Sequence, residues 1–199
     1  MVNLSFGIVA LGANLPGPAQ DLWASLRSAL ITLHEHPEIS ISSVSRFWRT
    51  PAFPAGSGPD FANAVAVIAS SLPAEPLLEA LHAIEADFGR DRSTGRWSAR
   101  VLDLDLIALD DMIAPDADTL RHWIDLAPDQ QRRHAPDRLI LPHPRLQDRG
   151  FVLGPLAEIA PEWRHPLTWR SVTRMLARLP DDAMAGMTPM NPADFPALA

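Results

Sequence analysis

The sequence predicts an α+β domain with a βαββαβ core and an antiparallel sheet, and three observations carry that prediction. Short apolar runs bounded by turn residues read as strands. Two segments between them repeat apolar residues every three to four positions, the spacing of a helix with one buried face. Strict alternation over residues 101–109 then closes the series with a last strand.

Taken in order, residues 4–11 are apolar enough for a buried strand and run into the turn-forming Gly12-Ala13-Asn14-Leu15-Pro16-Gly17-Pro18. Over residues 20–34, Leu22, Leu26, Ala29, Leu30 and Leu33 share a helical face, and Pro37 ends the pattern. Residues 39–47 alternate and carry β-branched side chains, which reads as one extended strand. A Pro/Gly-rich stretch, 51–59, separates it from a second strand at 61–70, antiparallel to the first if the loop reverses. Pro73 and Pro76 fit only a first helical turn, and Leu77, Leu81, Ile84 and Phe88 mark a helix ending at Gly89. This order is the ferredoxin-like arrangement, with two helices covering one face of the sheet.

Beyond the core, residues 114–137 are polar and broken by prolines, yet carry Trp123, Ile124 and Leu126; they read as an excursion partly pinned to the body. Residues 151–159 and 171–179 read as additional C-terminal helices, the latter with Ser171 as N-cap and Val172, Met175, Leu176 and Leu179 inward. A single domain over residues 1–180 is expected, followed by a loosely held tail, 181–199.

Composition narrows the function. A chain of 199 residues with 47% hydrophobic content can close a real core, which excludes disorder as its main state. Without cysteine there is no disulfide framework and no thiolate metal site. The first eleven residues lack the basic start of a signal peptide, and no run is long enough for a membrane span, so a cytoplasmic protein is expected. A net charge of -7 disfavours nucleic acid as the main partner. Positive charge is nonetheless concentrated at Arg90, Arg92, Arg96 and Arg100, a window whose one acid is Asp91.

That window leads directly into Leu102-Asp103-Leu104-Asp105-Leu106. A strand repeats every two residues, so both carboxylates face one way and the leucines the other. Neighbouring like charges cost free energy unless a cation neutralises them. Oxygen-only ligands favour Mg²⁺, which takes one or two carboxylates together with phosphate oxygens and water. Guanidinium forks match phosphate oxygens, and a glycine-bearing arginine loop could close over a nucleotide and expel water. Trp97 could stack on a flat ring. The residues thus point to a magnesium-dependent enzyme that moves a phosphate-containing group from ATP onto a small flat acceptor. One alternative stands beside it: a ferredoxin-like module that displays aromatics to single-stranded RNA.

The string Arg-x-Arg-x-x-x-Arg-Trp-x-x-Arg-x-Leu-Asp-Leu-Asp, from Arg90 to Asp105, resembles the signature of the 6-hydroxymethyl-7,8-dihydropterin pyrophosphokinase family. Three further stretches resemble the same family in the same order: Leu11-Gly12-Ala13-Asn14-Leu15; Arg49-Thr50-Pro51 with Phe61-Ala62-Asn63-Ala64; and Leu141-Pro142-His143-Pro144-Arg145 leading to Arg149-Gly150-Phe151-Val152-Leu153. The resemblance implies transfer of pyrophosphate from ATP to a pterin alcohol in folate biosynthesis, releasing AMP, with a related ATP-dependent transferase acting on another heteroaromatic alcohol as the alternative; the absence of a long apolar seam points to a monomer.

It also implies roles. Asp103 and Asp105 would hold two Mg²⁺ ions bridging the phosphates of ATP. Arg90, Arg92 and Arg100 would act on those phosphates from the closing loop, with Arg96 and Trp97 aiding nucleotide binding and closure. Arg138, His143 and Arg149 would complete the nucleotide side, and Glu85 with Leu106 would line the nucleoside pocket. The pterin would stack between Phe61 and Phe151, with Thr50, Pro51 and Phe53 at its edge, Asn63 on its pyrimidine ring and Trp97 beside it. The chain departs from the family's usual pattern at Ala13, where serine is common, at Ser98-Ala99, where Gly-Pro is common, and at Phe61, often tyrosine. Phe61 keeps the ring face; Ser98 and Ala99 bear on how the loop closes.

Overall fold

The structure, a computed structural model, describes residues 3–16, 21–52, 58–90 and 101–190. Strand β1 (Ser5–Ala13) pairs antiparallel along its whole length with β4 (Phe61–Ser70), from Ser5 opposite Ser70 to Ala13 opposite Ala62. On its other side β1 pairs with β5 (Asp103–Leu109). A central strand is covered on both faces, which is why its sequence is a near-continuous apolar run. Helix α1 (Leu22–Glu35) starts at Asp21, whose carboxylate accepts from the Trp23 and Ala24 amides, satisfying donors that the first turn leaves open. Helix α2 (Ala74–Asp87) ends where Gly89 takes a positive φ of 85°, a conformation glycine adopts without strain.

The alternating run at 39–47 is two strands, not one: β2 (Ile39–Val44) and β3 (Trp48–Thr50), both paired with β4. Ser45 causes the break. Its amide donates to Val65 O at 2.9 Å while its hydroxyl oxygen accepts from the Val65 amide at 3.0 Å, so a side chain replaces one rung of the ladder. The strand order is β5-β1-β4-β3-β6 with β2 also on β4, the ferredoxin-like sheet with its second strand divided.

Helices α1 and α2 pack on one face. Leu26, Ala29, Leu33, Leu77, Leu81 and Ile84 enclose Leu11, Ala64, Ile68, Leu104 and Leu106 of the sheet. The opposite face is covered over part of its length by α5 (Gly150–Ile159) and α6 (Val172–Leu176), with Val152, Leu153, Leu156, Val172 and Met175 against Ile8, Val65 and Ile107. Ser171 caps α6 as expected, its hydroxyl accepting from the Arg174 amide at 3.2 Å, but the helix stops at Leu176.

The excursion holds two helices absent from the sequence expectation, α3 (Ala117–Asp125) and α4 (Pro128–Arg133). Asp116 caps α3, and Leu120 is its one fully buried side chain. Ala114 and Leu141 exchange both backbone hydrogen bonds, at 3.0 and 3.1 Å, and clamp the ends of the excursion together.

The expected loose tail differs over residues 181–190: β6 (Thr188–Pro189) pairs with β3, and the Met190 amide donates to Phe47 O at 2.7 Å. An exposed strand edge recruits backbone partners regardless of periodicity. Residues 191–199 lie outside the described residues. Among the described residues no helix is long and apolar enough to cross a membrane.

Candidate active site

Helices α5 and α6 leave one end of their sheet face uncovered, and there the strands present polar side chains. The registers align Trp48, Asn63, Gly12 and Asp103 in one row across β3, β4, β1 and β5. Residues opposite one another in antiparallel strands share a face, so these four form a continuous strip. Gly12 is the gap in it. A Cβ at Gly12 would stand 2.9 Å from Asn63 Oδ1, so the missing side chain leaves an open floor between amide and carboxylate. Asn63, buried, donates from Nδ2 to Thr50 Oγ1 at 2.6 Å. A buried amide held at one donor keeps a fixed orientation, with its remaining polar capacity available to a ligand.

Asp103 and Asp105 project from β5 on this face, while Leu104 and Leu106 enter the core behind it. Their side chains are 24% and 37% exposed, enough to reach an ion. Arg149, just before α5, donates from Nη1 to Asp105 Oδ2 at 3.0 Å. Arg90, beyond α2, is ion-paired with both Asp103 and Glu85. Glu85 is 1% exposed and accepts the Leu104 amide at 2.7 Å on the outer edge of β5. A buried carboxylate persists only with such partners.

His143 sits in the turn after the Leu141–Pro142 peptide. Its amide donates to Ile107 O at 2.7 Å, and its Nδ1 accepts from the Arg145 amide at 3.0 Å. Burial, then the nearby Arg149 guanidinium, pushes its pKa well below the usual imidazole value. The ring is therefore neutral at pH 7 with its proton on Nε2, a donor. Phe61 is half-buried at the start of β4; Phe151 is exposed at the start of α5, with the Arg149 guanidinium 5.6 Å from its ring centroid.

The structure thus sets two ion-pair groups on neighbouring positions of β5, Arg90 with Asp103 and Glu85, and Arg149 with Asp105, and sets Thr50 beside Asn63. Pro51 is exposed at the end of β3. Leu106 is buried in the core beneath α1 and α2, so its side chain turns away from this face. Arg138 is exposed, its Nε 3.3 Å from Asp137 Oδ1. Phe53, Arg92, Arg96, Trp97 and Arg100 lie outside the described residues. Trp48 and Glu158, which carry no motif in the sequence, meet at the rim: the indole Nε1 donates to Glu158 Oε1 at 3.2 Å across 110 positions. Period two from Thr50 was the available signal for Trp48, and there was none for Glu158.

The donor set fits magnesium. Among the described residues no three metal-ligating side chains converge. Ions held by Asp103 and Asp105 would take their other ligands from water and substrate oxygens, as Mg²⁺ does with phosphates.

Comparison with known proteins bears on this arrangement. The family model described as 7,8-dihydro-6-hydroxymethylpterin-pyrophosphokinase matches residues 8–161. A Synechocystis sp. protein named 2-amino-4-hydroxy-6-hydroxymethyldihydropteridine pyrophosphokinase is 34% identical over 182 residues, covering 92% of this chain and 80% of that one. A Pseudomonas aeruginosa protein of the same name is 34% identical over 172 residues, covering 86% and 90%. The crystal structure of wild-type Plasmodium falciparum HPPK-DHPS superposes with a TM-score of 0.60 at 13% identity. The present chain, 88% covered, spans 44% of that one, and at this identity the likeness is one of fold.

Proposed function

The chain belongs to the 7,8-dihydro-6-hydroxymethylpterin-pyrophosphokinase family, and from that premise we propose how its own residues accomplish the family's reaction. It is an ATP-dependent enzyme that transfers pyrophosphate from ATP to the hydroxymethyl group of 6-hydroxymethyl-7,8-dihydropterin, giving AMP and the pterin diphosphate. The observation that carries the site reading is the shared face of Asp103 and Asp105, continuous through Gly12 with Asn63.

In this reading the flat pterin lies over Gly12, with Asn63 bonded to its pyrimidine ring and Phe61 and Phe151 on its two faces. Thr50 holds the Asn63 amide in place, so that pterin recognition needs no reorganisation at that group. The hydroxymethyl arm then points along the strip towards Asp103. Asp103 orients the acceptor hydroxyl for in-line attack on the β-phosphorus, and AMP leaves.

Asp103 and Asp105 would hold two magnesium ions, which would supply neutralisation of phosphate charge and a lowered pKa at the acceptor hydroxyl. Arg149 and Arg90, paired with these carboxylates in the structure, exchange part of that pairing for phosphate oxygens once ATP is present. His143 Nε2–H offers a neutral donor to the nucleotide. Arg92, Arg96, Trp97 and Arg100 close over it. Glu85 keeps the end of β5 in register, and the backbone of Leu106 faces the nucleoside. Positioning and charge neutralisation supply most of the rate, and no strong base is required.

A cytoplasmic monomer is the expected form. The RNA-binding alternative is not favoured: the strip ends at Asp103, with Asp105 beside it on the same face, and these carboxylates repel a phosphate backbone. Incubation with ATP, Mg²⁺ and the reduced pterin alcohol tests the proposal. AMP together with a pyrophosphorylated pterin supports it, whereas ADP demands a monophosphoryl transfer and overturns it.

A further inference from the structure

Glu158, near the end of α5, gathers four hydrogen bonds from one short stretch of the facing sheet. Its Oε2 accepts the Arg46 amide at 2.9 Å, and its Oε1 accepts Arg46 Nε at 3.0 Å, Arg46 Nη2 at 2.7 Å and Trp48 Nε1 at 3.2 Å. The far end of the same indole also meets α5, one turn earlier: Trp48 Cη2 is 3.7 Å from the point where a Cβ on Gly154 would stand. Positions four apart on a helix share a face, so the indole, bonded to Glu158 at one end, runs back along α5 to Gly154, where the missing side chain leaves it room.

That indole lies in the row Trp48, Asn63, Gly12, Asp103. It therefore fills the space between helix and sheet at the α5 end of that strip, next to Asn63. The same helix carries Phe151 in its first turn and Arg149 just ahead of it. Movement of α5 towards or away from β3 and β4 would alter the separation of Phe151 from Phe61, and with it the slot available to a flat ring.

Packing alone would hold the helix less specifically. An indole N–H aimed at a fixed acceptor selects one ring orientation, and charge-assisted bonds from Arg46 fix that acceptor in turn. On the other side, Gly154 meets the C-terminal segment, with Met184 Cε 2.8 Å from its would-be Cβ. The helix is thereby held between two neighbours with no side chain of its own at that point.

We propose that Glu158 and Trp48 form a spacer that sets the height of α5 above the sheet and so the width of the acceptor slot. Glu158 is a positioning residue, acting through Trp48 and the helix; the inference rests on the acceptor site assigned above.

Steady-state kinetics of the full chain with ATP and the reduced pterin alcohol test it. Glu158→Ala is expected to raise the acceptor KM about 10-fold, leaving the ATP KM within about 2-fold of wild type, because loss of a fixed orientation falls on one substrate. Glu158→Gln keeps an oxygen for the indole N–H and brings the acceptor KM back to within about 3-fold of wild type. Trp48→Phe keeps an apolar ring without the N–H and reproduces the alanine effect; with the glutamine variant it decides the matter should Glu158→Ala not fold. Equal rises in both KM values, or a glutamine variant as impaired as alanine, overturn the spacer and leave Glu158 as a general fold contact. Wild-type protein that makes no AMP sinks the catalytic reading itself. Active wild type with an unmoved acceptor KM in the variants sinks only the spacer.

Discussion

Arg149 donates through Nη1 to Asp105 Oδ2 at 3.0 Å, joining the start of α5 to the edge strand β5 through a pair of charges. In the proposed reaction the guanidinium also serves the nucleotide. Arg149→Ala is therefore expected to raise the KM for ATP by roughly 10- to 100-fold, the cost of one hydrogen bond to a charged group. Thermal stability should change little, since both partners are partly exposed and such pairs contribute little to folding. Initial rates at saturating acceptor, with a melting curve beside them, check both halves. An unmoved ATP KM would take Arg149 off the nucleotide side.

The two aspartates should be the most costly residues to lose. Asp103→Ala and Asp105→Ala are each expected to lower turnover by about 10²–10³-fold, comparable to removing one preorganised electrostatic group. A magnesium titration is the measurement. Near-normal turnover of either variant at saturating Mg²⁺ would contradict its assigned role.

Gly12→Ala places a methyl group 2.9 Å from Asn63 Oδ1, and Asn63 is held by Thr50. Overpacking of this kind costs about 1–3 kcal/mol, read from urea unfolding. The acceptor KM is expected to rise roughly 2- to 10-fold as the amide tilts away from its partner. On an Asn63→Ala background the same substitution should add nothing further to KM; an additive effect would show that Gly12 acts independently of Asn63.

His165 makes stability acid-sensitive. It is fully buried; burial, with Arg170 adding to it, pushes its pKa to about 4 from an ordinary 6.5. Because the unfolded chain binds the proton more readily, the contribution is fully present above pH 6.5 and is lost as pH falls towards 4. Between pH 7 and pH 4 the loss amounts to about 3 kcal/mol. Urea midpoints across this range should fall more steeply for wild type than for His165→Asn, whose amide oxygen can replace the Nδ1 that accepts the Leu167 amide. Parallel slopes would contradict the assignment.

The elements that bury one regular face were legible in the sequence. Leu26, Ala29 and Leu33, or Leu77, Leu81 and Ile84, repeat at the helical period because that period is what core burial demands. Asp103 and Asp105 were legible for the same reason, through the strand period. What escaped depends on partners far along the chain. Ser45 interrupts an otherwise regular alternation through Val65. Glu85 resembles a solvated helix charge until the Leu104 amide and Arg90 reach it. Helix α3 buries only Leu120 completely, and β6 is two residues long and owes its existence to the edge of β3. Leu106, assigned to a pocket by resemblance, has a side chain that follows its own strand's alternation into the core.

The pairing of Thr188 and Pro189 with Arg49 and Trp48 has a bearing on how the protein behaves in concentrated solution. Deleting residues after Pro180 would bare an unpaired ladder at which two molecules could join sheet to sheet. Precipitation, ahead of any catalytic defect, is the symptom to look for in such a shortened protein.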